Sequence, residues 1–259
     1  MPSPLALERR DVDVPTPDGT ADAYLVRPAG GASVPGVLLF MDGIGLRPRL
    51  EEMADRIAAR GCAVLVPNLF YRAGPAPVVP DIVARLQTED RTVVFQELRP
   101  LMAALTPEVA ARDTLAYVDA LIRDGGADPS RLATTGYCMG GALSLRAAAQ
   151  LPEQVQAAGS FHGGNLAPDD GTGPDRGAAS IRAEVYAAHA DEDPSMPPEQ
   201  IARLERALDE AGVTYTSELY AGARHGFTMS DMPVHDAAAE QRHWDALLGL
   251  LDRTVLDTR

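Results

Sequence analysis

Short, unbroken apolar runs alternate with segments of helical spacing along most of this chain. Residues 12–27, broken at Pro17-Asp18-Gly19, read as a β-hairpin of two early strands. Residues 36–40 (Gly-Val-Leu-Leu-Phe) and 62–67 are continuous apolar runs, as expected of strands buried on both faces. Between them, residues 49–60 set Met53, Ile57 and Ala58 at helical spacing and stop at Gly61. Thr106-Pro107-Glu108 opens another helix, with an N-cap hydroxyl and proline at the first position, running to about Arg123. Residues 132–135 predict a strand, and the small-residue run behind it predicts a helix over 139–150. Three more strands are expected at 157–161, 183–188 and 215–220. The helices around the last of these span 197–211, ended by Gly212, and 235 to about 256. Segments 73–105 and 167–180 lack either pattern and are expected to be irregular, the first of them able to cover a cleft.

Strands alternating with helices predict an α/β protein with a mostly parallel central sheet and helices on both faces. No internal repeat is visible, and neither irregular segment carries a core of its own. Residues 1–259 are therefore expected to form a single domain. With 46% hydrophobic residues, that domain can bury a core without metals or disulfides.

Charge and residue usage remove several function classes. A formal net charge of -14 disfavours a nucleic-acid partner or an anionic membrane surface. The two cysteines, Cys62 and Cys138, are far apart and form no disulfide framework, which fits a reducing compartment. The first ten residues carry charges but no apolar signal core, and every apolar run is too interrupted to span a membrane. A soluble cytoplasmic protein, monomeric or a small homo-oligomer, is expected. Every basic residue other than histidine is arginine, which excludes a Schiff-base lysine, a P-loop lysine and a Ser–Lys dyad. The five histidines show no metal-ligand spacing, and no dinucleotide fingerprint is present, so neither metal nor cofactor is expected.

The chemistry centres on Gly136-Tyr137-Cys138-Met139-Gly140-Gly141, at the junction of the strand at 132–135 with the following helix. Gly-x-nucleophile-x-Gly at such a junction is the nucleophile elbow of α/β-hydrolases, here carrying cysteine. Alone, the motif fits a buried thiol in a strand–helix turn equally well. A nucleophile of this kind needs a base and a group to orient that base, in the chain order nucleophile, acid, histidine. Both follow predicted strands: His189-Ala190-Asp191-Glu192-Asp193-Pro194-Ser195-Met196-Pro197 after one, and Ala221-Gly222-Ala223-Arg224-His225-Gly226-Phe227 after the next. Separately these could be a helix-capping acidic cluster and an ordinary loop histidine. Their joint order and placement favour catalysis.

Together these segments, with Tyr220 ahead of the histidine loop, resemble the dienelactone hydrolase family over nearly the whole chain, from about Val12 to Leu250. The resemblance implies an α/β-hydrolase fold with Cys138 as nucleophile, His225 as base and Asp193 as orienting acid. Asp191 is the second choice for the acid. The oxyanion hole is expected from the backbone N–H groups of Gly43 and Met139. The family carries a thiol-activating Glu in the early loop; here Asp42 occupies that place, though Asp before Gly is also a common turn former. Asn68-Leu69-Phe70-Tyr71-Arg72 resembles the family's carboxylate-recognition segment, making Arg72 and Tyr71 candidates for substrate binding. A second family arginine, four residues after the histidine, is replaced by Met229, which points to a less charged ester or lactone. His162, in Phe161-His162-Gly163-Gly164, could contact substrate or be structural.

The resulting expectation is a carboxylic-ester or lactone hydrolase acting through a thioester acyl-enzyme on a small molecule. A thioesterase or acyl transferase on the same fold is the alternative enzyme. From another class, the chain could be a non-catalytic ligand binder or redox sensor using Cys138.

Overall fold

The computed structural model of the protein describes residues 5–89 and 91–257, so only part of the charged stretch at 1–10 lies within it. Eight strands form one sheet: β1 (Leu7–Thr16), β2 (Gly19–Pro28), β3 (Val34–Phe40), β4 (Ala63–Pro67), β5 (Ala127–Tyr137), β6 (Val155–Phe161), β7 (Glu184–Glu192) and β8 (Tyr215–Arg224). Their order is β1-β2-β4-β3-β5-β6-β7-β8. From β4 to β8 every neighbour is parallel, while the β1–β2 hairpin adds antiparallel to β4. The apolar runs explain this order. All of β4 and nearly all of β3 are buried, as central strands must be, whereas β1 and β8 alternate or stand exposed at the two edges.

Helices α1 (Pro48–Ala58) and α7 (Ala237–Leu251) pack together, tied by Arg56 lying over the Trp244 ring at 4.3 Å. Helices α4 (Pro107–Arg123) and α5 (Met139–Gln150) pack against each other and against the central strands, covering the opposite face. Thr106 caps α4 by accepting from the Val109 N–H at 3.3 Å, and helix α6 (Pro198–Ala211) stops at Gly212 in left-handed conformation. No helix among the described residues is long and apolar enough to cross a membrane.

Segment 73–105 departs from the expected irregular chain. It holds helices α2 (Ile82–Thr88) and α3 (Arg91–Ala104). Neither announces itself locally: α2 is seven residues long with no side-chain cap, and α3 contains Pro100 in its interior. Tertiary burial of Ile82, Leu86, Val94 and Leu98 supplies what local propensity lacks. Segment 167–180 is a loop closed by a 3₁₀ turn at Pro174–Ser180.

The core also buries uncharged histidines. Tyr137 Oη and His243 Nε2 lie 2.9 Å apart at full burial, and burial lowers His243 to about 3 and His189 to about 4; it also holds His162 well below its usual value. These groups stay neutral in the folded chain but take up protons below about pH 6.5 when unfolded. Their contribution to stability is therefore whole above about pH 6.5 and is lost as pH falls toward the folded values. Unfolding free energy is expected to drop by on the order of 5 kcal/mol between pH 6.5 and pH 4. Urea titrations across that window check this, and a flat profile contradicts it.

Candidate active site

The loops that leave the C-terminal ends of β3, β5, β6, β7 and β8 converge, with β3 at the point where the strand order reverses. Cys138 sits at the end of β5 as the N-cap of α5, with φ 55° and ψ −120°. That left-handed backbone is costly for a non-glycine residue and is held by its surroundings. A Cβ on Gly136 would run into the Gly140 carbonyl, and one on Gly140 into the carbonyls of Phe40 and Met41. The two glycines thus allow α5 to press against the ends of β3 and β5, leaving the Cys138 side chain partly exposed. Cys62, by contrast, is fully buried, and burial pushes its thiol up to about 12.

The structure brings Cys138, His225 and Asp193 together. Cys138 and His225 line one cavity, and His225 Nδ1 donates to Asp193 Oδ2 at 2.6 Å. Asp193 Oδ1 accepts from the backbone N–H and hydroxyl of Ser195 at 2.9 and 2.6 Å. Burial alone would raise the Asp193 carboxyl, but its bonds to His225 and Ser195 hold it below the usual range. Asp191 lies apart on the surface, where its carboxylate accepts from the Gly222 N–H at 2.9 Å. His225 feels burial, which lowers its pKa. That is outweighed by the Cys138 sulfur and the Asp193 carboxylate, and the imidazole is raised to about 10.

The early loop is built differently from expectation. Asp42 does not approach the sulfur as a free base. Its Oδ1 and Oδ2 accept from Arg47 Nη1 and Nη2 at 2.8 and 3.0 Å, and Oδ1 also accepts from the Ile44 N–H. Arg47 is 5% exposed and reaches onward to Asp231 at 2.6 Å and to the Gly45 carbonyl at 3.1 Å. Arg49 donates to the Thr228 carbonyl at 2.8 Å, so two arginines at the start of α1 tie the Gly43 loop to the loop after His225. Met102 of α3 packs beside Gly43. Gly43 lines the cavity, and Met139 begins α5, where the first-turn N–H groups lack helical partners.

Arg72 and Tyr71 lie elsewhere. Arg72 spends its guanidinium on Asp18 and Asp113, both at 2.8 Å, and stacks on Tyr71. Tyr71 is buried, with Thr16 donating to its hydroxyl at 2.6 Å. Neither lines the Cys138 cavity. His162 does: it is fully buried, its ring 5.3 Å from that of His225, and its Nε2 is 2.8 Å from Thr228 Oγ1. Met229 also lines the cavity, with Ile44, Phe95, Met232 and Val234, which the sequence did not single out. Ser195 stands in the acid loop but was given no role from the sequence, and Arg47 had no local signal beyond its nearness to the Gly43 loop. Among the described residues no group of three His, Cys, Asp or Glu side chains could hold a metal ion.

A cysteine raised on a strained turn above a mostly parallel sheet, with an Asp-held histidine beyond it, is the architecture of the α/β-hydrolases. A candidate dienelactone hydrolase from Klebsiella pneumoniae superimposes with a TM-score of 0.79 at 22% identity, over 95% of this chain and 98% of that one. The chain belongs to the dienelactone hydrolase family, whose sequence profile matches residues 21–255. It is a hydrolase acting on ester bonds. A candidate carboxymethylenebutenolidase of Methylorubrum extorquens is 26% identical over 241 residues, covering 92% of this chain and 78% of the relative. A dienelactone hydrolase-like promiscuous phosphotriesterase from metagenomic libraries is 25% identical with a TM-score of 0.78, over 96% and 98% of the two chains.

Proposed function

We propose that this protein hydrolyses carboxylic esters or lactones through a Cys138–His225–Asp193 triad and a thioester intermediate. The observation that supports this most is geometric: Cys138 on its strained turn shares one cavity with His225, whose Nδ1 donates to Asp193 Oδ2 at 2.6 Å. The Cys138 thiolate attacks the carbonyl carbon, and the oxygen takes up negative charge facing the Gly43 and Met139 N–H groups. Collapse expels the alkoxide, which takes the Nε2 proton of His225, leaving the acyl group on sulfur. Once sulfur is acylated its charge is gone, so the main influence raising His225 disappears and the imidazole becomes a base. It then accepts a proton from water as the hydroxyl adds to the thioester. Collapse of the second intermediate returns the thiolate and imidazolium and frees the acid.

Asp193 keeps the Nδ1 proton in place, so that Nε2 always faces the reacting atoms. Asp42 acts here through Arg47 as a clamp on the Gly43 loop rather than as a proton acceptor. A thiolate leaves readily from the tetrahedral intermediate, so activated aryl and enol esters suit the site better than amides. Mixing with p-nitrophenyl acetate should release a burst of p-nitrophenolate equal to the enzyme concentration, and mass spectrometry should place the acetyl group on the Cys138 peptide. Acetylation confined to other residues would refute the reading.

A further inference from the structure

Of the buried histidines that the proposed reaction leaves idle, His162 packs against His225 itself. Its backbone leaves β6 with φ 40°, a left-handed conformation that a residue with a Cβ adopts only under constraint. Several contacts impose it. The His162 N–H donates to the Ala188 carbonyl of β7 at 2.8 Å. Its ring is enclosed by those of Tyr137, Phe227 and His225, with centroids 5.9, 5.1 and 5.3 Å away. Nε2 lies 2.8 Å from Thr228 Oγ1, three residues past His225. The same loop also reaches the acid. The Asn165 N–H donates to the Ser195 carbonyl at 2.8 Å, and a Cβ on Gly164 would strike Ser195 Oγ. Ser195 in turn donates to Asp193 at 2.6 Å. Residues 162–165 thus touch the histidine loop at one end and the acid loop at the other.

We infer that His162 is a positioning residue for His225, braced on Thr228 through Nε2, and that its loop holds the acid and histidine loops together. The inference rests on His225 being the base. The bond to Asp193 fixes His225 at Nδ1 but leaves the ring free to tilt about that bond. Nε2, on the far side of the ring, would then swing away from its working position. A displacement of about 1 Å at a reacting group can cost on the order of 100-fold in rate. The His162 ring stands at 65° to the His225 ring, an edge-to-face pair that opposes the tilt. Burial, and after it the nearness of His225, hold His162 uncharged, so the brace sets no second positive charge beside the base.

The test compares variants on p-nitrophenyl acetate, each assayed below its own melting transition. Thr228→Val removes the hydroxyl with little change of shape, Thr228→Ser keeps it, and His162→Phe keeps a ring without Nε2. Thr228→Val and His162→Phe should each lower kcat and kcat/KM together by about 10- to 100-fold, as expected when the loss is felt in the transition state and not in substrate binding. Thr228→Ser should stay within about threefold of the wild type, because the hydrogen bond survives. The double variant His162→Phe/Thr228→Val should lose no more than the worse single one, since both break the same bond. It strands no polar atom at the contact, so its fold is expected to hold where that of a single variant does not. Wild-type kcat in both Thr228→Val and His162→Phe would overturn the brace. So would losses that multiply in the double variant, that fall in KM alone, or that are as large in Thr228→Ser as in Thr228→Val. Turnover that is unchanged in Cys138→Ala would instead overturn the triad, and the brace with it.

Discussion

Cys138→Ala is expected to lower kcat toward p-nitrophenyl acetate by at least about 10⁴-fold, because removing the proposed nucleophile would leave only binding and oxyanion stabilisation. The same substitution should be visible without any substrate. The Cys138 sulfur heads the influences that raise His225 to about 10, while burial lowers it and Asp193 alone remains to oppose burial. In the alanine variant the imidazole should therefore titrate well below its wild-type value, as read from the His225 ring protons by NMR. Cys138→Ser should show a similar fall, since a serine hydroxyl does not ionise beside an imidazole as a thiol does. A His225 titration that is identical in the three proteins would mean that no ion pair exists at rest. An unchanged rate in Cys138→Ala would remove the triad altogether.

Arg47→Met should destabilise the protein by about 3–5 kcal/mol, the range for removing one member of a buried ion pair. The size follows from what is left behind. Asp42 is 4% exposed and both of its oxygens accept from Arg47, so the substitution strands a carboxylate in an apolar site. Asp231 loses its partner as well, and the Gly45 carbonyl loses a donor. In a chain of this size the melting temperature should fall by about 10 °C. Activity should fall further than stability explains, because Asp42 and Gly45 flank Gly43 in the loop proposed to face the reacting carbonyl. Adding Asp42→Asn to Arg47→Met should return part of the stability, since the stranded charge is gone, but not the rate, since the clamp is still missing. If Arg47→Met melts and turns over like the wild type, the clamp has no role.

Much of this site could be read along the chain because its parts are local. The elbow needs glycine at 136 and 140, and those glycines are adjacent in sequence to the residue they lift. Strand–helix alternation follows from side-chain periods of two and 3.6, so β3, α5, α6 and β8 came out close to their observed bounds. Helices α2 and α3 did not, because a seven-residue helix without a cap and a helix interrupted by Pro100 draw their stability from contacts distant in sequence.

The amino-acid sequence by itself determined the order of the strands and of the helices other than α2 and α3, the raised Cys138, and the presence of acid and histidine loops after the right strands. Tertiary structure alone decided which partner each charge took. It set Asp193 rather than Asp191 on His225, turned Arg72 toward Asp18 and Asp113, and joined Arg47 to Asp231 across 184 residues. The physical reason is range. Periodicity and turn chemistry act between near neighbours along the chain, whereas an ion pair depends on which ends of which strands the sheet brings within 3 Å.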